Sequence, residues 1–295
     1  MPTPWPANLV VLARRLSPGA IEWLRERDAN WADAAGQARI LGPKGLIVIR
    51  EPARPAREDR ERSFAWSPSA LSIAETILAS EDGRLHASRL AERTGWSVPQ
   101  TANVLAAFDA QGWTAKRGPA RGPQAHRVLA DSDTLLASWS GAIAAAPRAT
   151  RTAHRATQDV MGLLRGQLAP ALNRTAKWAI SGWAALELTA PFATTTPSLH
   201  VYVSERHFAG PLSDAIAAAG LRGVDEGGRV VFWSAGSGPL DLATRADDLP
   251  VVSPPRLYAD LNAFGARGGD AADHVKAQLI DPLHGATDRP GQTHG

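Results

Sequence analysis

Apolar positions in the middle of the chain predict three helices followed by a two-stranded hairpin. The segments SALSIAETILAS (69–80), LHASRLAERT (85–94) and SVPQTANVLAAFDA (97–110) each repeat apolar residues with the period of a helix packed on a core. Two short segments, WTAKRG (113–118) and QAHRVL (124–129), then predict strands bridged by PARGP. This order is that of a winged helix-turn-helix.

The boundary between the second and third helices carries turn and capping signals. Gly95 supplies the conformational freedom for a tight turn after Thr94. Ser97 can cap the next helix, and Pro99 suits its first turn, where a missing N–H costs nothing. The pattern alone leaves a DNA-reading unit and an ordinary helical hairpin both open.

The chain on either side predicts two further α/β segments. Before the central region, SPGAIEWLRERD (17–28) predicts a capped helix and LIVIR (46–50) a short apolar strand. After residue 150, a long helix over 157–172 is expected. Strands and helices then alternate along the chain. In order they are the strand-like KWAI, the helix GWAALELT, the strand LHVYVS, the helix PLSDAIAAAG, the strand RVVFWSA and a final helix from Pro254. SAGSGP (234–239) predicts a loop.

Changes in amino-acid composition mark the boundaries between these segments. A stretch rich in Pro, Arg and acidic residues, 51–69, predicts a linker, and an Arg-bearing joint is expected over 140–157. The predicted fold class is therefore a multidomain α+β protein. Its predicted parts are a small α/β domain (1–66), a central winged helix (67–140), a C-terminal α/β domain (151–280) and a disordered tail (281–295).

Overall composition excludes several classes of protein. Of 295 residues, 44% are hydrophobic, which is enough to bury sizeable cores, and none is cysteine, which excludes disulfides and thiol catalysis. No apolar run is long enough to span a bilayer, and the N-terminus lacks a signal pattern, so we expect a cytoplasmic protein with no membrane partner. The net charge of +3 permits nucleic-acid binding without demanding it.

The local distribution of charge favours DNA. The segment KRGPARGPQAHR (116–127) carries basic residues with no acid between them, as a wing that contacts phosphates would. Polar side chains at the start of the third helix can read base edges. The candidate DNA-binding residues are Ser97, Gln100, Thr101, Asn103, Lys116, Arg117, Arg121, His126 and Arg127.

Two possible enzyme sites lack the required side chains. Ser181-Gly182 followed by a helix and the strand LHVYVS resembles the nucleotidyltransferase fold, in which that strand carries two metal-binding carboxylates. Here the alternating positions are His200 and Tyr202, with Glu205 a lone acid. The sequence therefore predicts a nucleotidyltransferase-like domain without catalysis.

The N-terminal segment loosely resembles a restriction-endonuclease-like nuclease, with Asp33 before a Gly-rich turn. A second acid and a lysine should follow on the adjacent strand, but that place reads Gln37-Ala38-Arg39. A capping or turn role for Asp33 is favoured. The histidines show no metal-ligand spacing. We therefore predict no enzymatic activity, no cofactor and no metal.

One segment suggests a family. VVSPPRLYADLNAFGARGGDAADHVKAQL (251–279), with support from ISGWAALEL and DAAGQARI, resembles AbiEi-family antitoxins of type IV toxin–antitoxin systems. The resemblance implies a winged helix that binds promoter DNA and a C-terminal domain that represses or supports antitoxicity. It also implies a nucleotidyltransferase-like toxin as partner. The segment before the winged helix is a departure from this family.

The sequence-based hypothesis is a regulator that binds double-stranded promoter or operator DNA, in the form of an autorepressing antitoxin. A lone regulator of the same build fits equally well, and a homodimer would suit a palindromic site. The alternatives are a protein-binding antitoxin module in which the winged helix only acts as a scaffold, and an enzyme whose catalytic residues the patterns do not reveal.

Overall fold

The computed structural model describes residues 10–13, 16, 18–33, 38–41, 47–50, 64–119, 125–192 and 196–285. The chain divides into two compact units, 1–64 and 65–295. The predicted central and C-terminal segments thus belong to one unit. Helices and strands occur in both units, so the mixed α+β class is confirmed.

The first unit is built around a four-stranded sheet. It contains β1 (Val10–Ala13), α1 (Pro18–Arg25), β2 (Asn30–Asp33), β3 (Ala38–Leu41) and β4 (Ile47–Arg50), with the strands in the order β1-β2-β3-β4. The first pair is parallel and the other two pairs are antiparallel. Trp31 is fully buried and packs with Leu24 and Ala29, because α1 covers the sheet with its apolar side.

The second unit begins with the helices and hairpin predicted from periodicity. They are α2 (Pro68–Leu78), α3 (Ala87–Thr94), α4 (Val98–Ala110), β5 (Thr114–Arg117) and β6 (His126–Leu129). A further helix that the sequence analysis did not predict, α5 (Ser132–Ala145), follows the hairpin. β5 and β6 form an antiparallel hairpin, and Leu85 pairs with Arg127 as a short third strand. Trp113 stacks on Trp66 with ring centroids 5.5 Å apart, and Phe108 contacts both rings, which fixes the hairpin to the helices.

The rest of this unit is a mixed seven-stranded sheet with helices packed against it. Its described strands are β7 (Thr150–His154), β8 (Trp178–Ser181), β9 (Leu199–Ser204), β10 (Arg222–Val224), β11 (Val230–Ala235), β12 (Thr244–Ala246) and β13 (Leu249–Val251). They lie in the order β10-β7-β11-β9-β8-β13-β12, with β9 parallel to β11 and antiparallel to β8. Strands β8 and β9 are almost wholly buried, as their near-continuous apolar runs require.

Helices connect these strands. They are α6 (Val160–Leu163, continuing through a π-helical stretch Leu164–Leu168 into Ala169–Thr175), α7 (Gly182–Thr189), α8 (Gly210–Ala218), α9 (Ser237–Asp241), α10 (Pro254–Asn262) and α11 (Ala266–Val275). A second π-helical stretch, Lys276–Ile280, leads from α11 into Asp281–Gly285. The side chain of Ser253 caps α10 ahead of Pro254, as the sequence predicts for a helix that starts there.

Three sequence-based expectations were wrong. The joint expected over 140–157 is the end of α5 followed by β7, because Arg151 and Thr152 lie on a strand that pairs on both sides. The loop expected at 234–239 contains the start of α9. The tail expected to be disordered from residue 281 starts with the helical turn Asp281–Gly285, and residues 286–295 lie outside the described part of the chain.

Candidate nucleic-acid interface

The turn between α3 and α4 is built as its sequence predicts. Gly95 ends α3 with φ at 74°, a left-handed conformation that suits glycine. Ser97 then caps α4, and its hydroxyl accepts a hydrogen bond from the backbone N–H of Gln100 at 3.3 Å. Pro99 occupies the first turn. The N-terminal end of α4 is therefore fixed in direction relative to α3.

The side chains at the start of α4 divide between the surface and the core. Gln100 and Asn103 are exposed, with Val98 beside them at 49% exposure. Thr101 is fully buried on the core side with Leu105, and its hydroxyl has no hydrogen-bond partner among the described residues. Thr101 is therefore withdrawn from the candidate base contacts, because its side chain cannot reach a duplex.

The hairpin presents two of the candidate basic residues to solvent. Lys116 and Arg117 are exposed at the end of β5, and they face Arg127 and His126 across the hairpin. Neighbouring residues of a strand point to opposite sides, so Lys116 and Arg127 share the side of α4. Arg117 lies on the other side and lines an open cavity of about 660 Å³ with residues that include Glu81 and Asp82.

Arg127 is held inside the protein. Its Nε lies 2.9 and 3.1 Å from the two carboxylate oxygens of Asp109 in α4, and the Thr114 hydroxyl donates to the same carboxylate at 2.7 Å. The Arg127 and Asp109 side chains are only 16% and 20% exposed. Arg127 thus fastens the hairpin to α4. Because its Nε is bound to an acid in this conformation, Arg127 is left out of the proposed phosphate contacts.

The remaining candidates have mixed placements. His126 is half-buried, with its ring centroid 6.0 Å from that of His86. Ser97 is exposed while it caps α4. Arg121 lies outside the described residues. The structure thus exposes Ser97, Gln100, Asn103 and Lys116 on the side of α4, exposes Arg117 on the other side of the hairpin, and turns Thr101 and Arg127 inward.

The strand compared with a nucleotidyltransferase carries a buried network in place of carboxylates. The Tyr202 hydroxyl donates to Oδ1 of Asp260 at 2.8 Å, and the Ser181 hydroxyl donates to Oδ2 at 2.7 Å. Arg148 donates to both Tyr202 and Asp260, at 2.6 and 3.0 Å. Burial raises the pKa of Tyr202 well above its usual range, and the Asp260 carboxylate adds to the shift. Both carboxylate oxygens of Asp260 therefore accept hydrogen bonds from side chains of the protein.

His200, the other alternating position on β9, is packed among aromatic rings. Its ring centroid lies 4.5 Å from that of Phe264 and 4.8 Å from that of Trp233. Its Nδ1 is buried without a hydrogen-bond partner among the described residues. The pKa of His200 is lowered to about 4, because the cost of burying the charged ring outweighs the raising effect of the Asp260 carboxylate. His200 is thus a neutral core side chain.

A second buried ion pair joins the central region to the seven-stranded sheet. Glu75 of α2 is fully buried, and Arg256 of α10 contacts both of its carboxylate oxygens. Ser253 donates to Glu75 at 2.9 Å, and the Arg256 guanidinium lies 5.0 Å from the centre of the Trp139 ring. The sequence pattern missed this pair. The only available signal was a lone carboxylate on the apolar side of α2.

The nuclease-like segment of the first unit is the other candidate enzyme site. β3 lies next to β2, as that comparison expected, but Arg39 at that place binds the Asp28 carboxylate at 3.0 Å. Gln37 lies outside the described residues.

Within the described ranges no group of His, Asp and Glu is arranged to hold a metal ion. No helix among those ranges is both long and apolar enough to cross a bilayer.

The fold and this region define a mixed α+β protein in which a helix-turn-helix and a hairpin precede a large sheet. A family model described as "Transcriptional regulator, AbiEi antitoxin, Type IV TA system" matches residues 127–281, which is more than half of the chain. The protein belongs to this family, and the resemblance inferred from residues 251–279 is confirmed. No curated protein and no solved structure matches the chain. The matched range includes α5 and the large sheet and begins after α4.

Proposed function

We propose that this antitoxin-family regulator binds double-stranded DNA through a winged helix-turn-helix formed by α2, α3, α4 and the β5–β6 hairpin. In this role α4 enters the major groove with its N-terminal end, and the hairpin acts as the wing. The observation that carries the proposal is the exposure of Gln100 and Asn103 at the start of a capped helix, with Lys116 and Arg117 exposed on the hairpin packed beside it.

The chemistry of these side chains supports the division of roles. Lysine and arginine on the wing would hold phosphates and supply sequence-independent affinity. The amides of Gln100 and Asn103 can each form two hydrogen bonds with one base edge. Because the protein belongs to a family of regulators, promoter DNA of its own operon is the proposed ligand, and autorepression is the proposed consequence.

We propose a non-catalytic role for the C-terminal part, as a degenerate nucleotidyltransferase-like domain that supports antitoxicity toward a toxin partner. Support comes from the two positions where such enzymes carry carboxylates. Tyr202 is buried against Asp260, and His200 is buried among Phe264 and Trp233. Neither side chain can coordinate magnesium there, because both are enclosed by neighbouring residues.

Titration of the duplex upstream of the protein's own gene tests the DNA-binding role. Wild type should bind, and a Lys116→Ala/Arg117→Ala double variant should bind all duplexes more weakly. Its slope of log K against log salt should fall by about 1.8, since each lost phosphate contact removes about 0.9. Gln100→Ala or Asn103→Ala should instead relax specificity by about 1–3 kcal/mol at one base pair.

Arg165→Ala is the matched control, since Arg165 is an exposed arginine of α6 that pairs with Asp247. It should leave both the affinity and the salt slope unchanged. Absence of binding by wild type at low ionic strength would overturn the proposal. In that case the alternative, a module that binds a protein partner and uses the central region as a scaffold, would stand.

A further inference from the structure

We infer that the exposed face of α4 is specific for A·T base pairs in the major groove, with adenine read by Asn103 and Gln100 and thymine methyl groups contacted by Val98. The inference rests on the proposed DNA-binding role of this helix and adds the class of sequence that it recognises. It follows from which side chains the fold leaves exposed and which it uses internally.

The first step concerns the burial pattern of α4. Helical spacing places Thr101, Val104, Leu105 and Phe108 on one side, and all four are buried. The opposite side is what a partner can contact. The exposed positions of this helix are Val98, Pro99, Gln100, Asn103, Ala106 and Ala110. After Asn103 this face consists of small alanines, so nothing bulky prevents the helix from lying in a groove.

The second step concerns charge. The helix VPQTANVLAAFDA contains no arginine or lysine, and its one charged residue is Asp109. Arginine and lysine make the commonest specific contacts with guanine, and carboxylates accept from the cytosine amino group. Asp109 is unavailable for cytosine, because its carboxylate binds Arg127 and Thr114. The side chains that recognise G·C pairs are therefore missing from this face of α4.

The third step concerns the amide and apolar side chains that remain exposed on α4. Glutamine and asparagine amides match the N6 donor and N7 acceptor of adenine, and apolar side chains pack on the thymine methyl group. Val98 is 49% exposed in the first turn of the helix, although burial of a valine is normally favourable. A thymine methyl would cover this apolar side chain. Gln100 and Asn103 lie within five residues of it, at the end of the helix that reads bases.

The experiment selects duplexes from a randomised library with the full-length protein and then alters single atoms in the selected site. We expect A·T pairs in the selected core. Replacing thymine with uracil at the Val98 contact should weaken wild-type binding about fourfold, the value of one buried methyl group. Replacing adenine with 7-deazaadenine should weaken it about 5- to 150-fold, since a bidentate contact loses its acceptor.

Variants assign each effect to its side chain. Val98→Ala should bind thymine and uracil duplexes equally, and Asn103→Ala or Gln100→Ala should lose sensitivity to 7-deazaadenine at one position each. These side chains are exposed, so the variants should fold as wild type does, which circular dichroism checks. Gln111→Ala is the matched control, because Gln111 is exposed at the C-terminal end of the same helix. It should leave the base preference unchanged.

The outcomes separate the two proposals. If wild type binds duplexes but selects a G·C core, or if uracil and 7-deazaadenine leave its affinity unchanged, base recognition by α4 as inferred here is wrong while DNA binding stands. If wild type binds no duplex at low ionic strength, both proposals are wrong. An A·T core with the paired losses in wild type, absent in the matching variants, is the result expected.

Discussion

Arg256 of α10 contacts both carboxylate oxygens of Glu75 in α2, although the two residues are 181 positions apart in the chain. The pair joins the helix bundle of the proposed winged helix to the large sheet. Both side chains are almost completely buried, and Ser253 and the Trp139 ring complete their surroundings. The central and C-terminal segments therefore share one core.

Removing the charge of Glu75 should destabilise the second unit strongly. In Glu75→Gln the Arg256 guanidinium stays buried without its counter-charge, and the free energy of unfolding should fall by about 3–5 kcal/mol. Urea denaturation followed by tryptophan fluorescence measures the change. Asp247→Asn, which removes an exposed partner of Arg165, is the control and should cost less than about 1 kcal/mol. Equal effects of the two variants would contradict a special role for the buried pair.

Asp109→Asn should loosen the hairpin from α4. The neutral amide cannot match the charge of Arg127, so backbone amides at the Leu85–Arg127 bridge should exchange hydrogen faster. DNA affinity should fall together with the salt slope, because Lys116 is no longer held beside α4. Hydrogen exchange measured by mass spectrometry gives the first readout without DNA. Asp247→Asn removes an exposed partner of Arg165 and should change neither measurement.

Protonation of His200 should make stability depend on pH. The pKa of His200 falls from its ordinary 6.5 to about 4 in the folded protein, so the unfolded chain binds a proton that the native state does not. The stabilisation is complete above about pH 6.5 and is lost as the pH falls toward about 4, by about 3 kcal/mol in all. Urea denaturation of wild type and His200→Leu across this range measures it. The variant should show a shallower decline, and parallel curves would exclude His200 as the cause.

Gly182→Ala should test the close packing beside Ser181. Gly182 has φ at 61°, and an added Cβ would lie 2.9 Å from Nδ1 of His200 and 3.1 Å from the Phe264 ring. Both the backbone conformation and the contact oppose alanine, so we expect a loss of about 1–3 kcal/mol. Gly141 of α5 has nothing within 4 Å of its Cβ position. Gly141→Ala should therefore stabilise by about 0.5–1 kcal/mol. Thermal denaturation should give a lower midpoint temperature than wild type for Gly182→Ala and a higher one for Gly141→Ala.

Some features of the interface could be read from local sequence. Gly95, Ser97 and Pro99 specify the turn and the start of α4 through contacts within a few residues, and all three take the expected places. Burial of Thr101 was also predictable, since it lies three, four and seven positions before Val104, Leu105 and Phe108 on the same helical face. Its polar type led the sequence-based interpretation to place it at the surface.

Other features depend on partners that are distant in the chain. Arg127 looked like a phosphate contact because the basic segment 116–127 contains no acid, but its acid, Asp109, comes from α4. Asp260 and Ser181 are 79 positions apart, and no spacing rule connects them. The strand β7 was mistaken for a joint because its pairing with β10 and β11 is invisible in its own composition.

By itself the sequence determined the helices α2, α3 and α4, the β5–β6 hairpin, the cap of α4 and the family that the chain resembles. Helix periodicity and capping arise from neighbours three or four positions apart, and these are present in any short segment. Tertiary structure alone decided which charges are paired inside the protein, at Glu75, Asp109 and Asp260, and which stay exposed at the surface, at Lys116 and Arg117. Whether a buried charge finds its counter-charge depends on the packing of elements far apart in the chain.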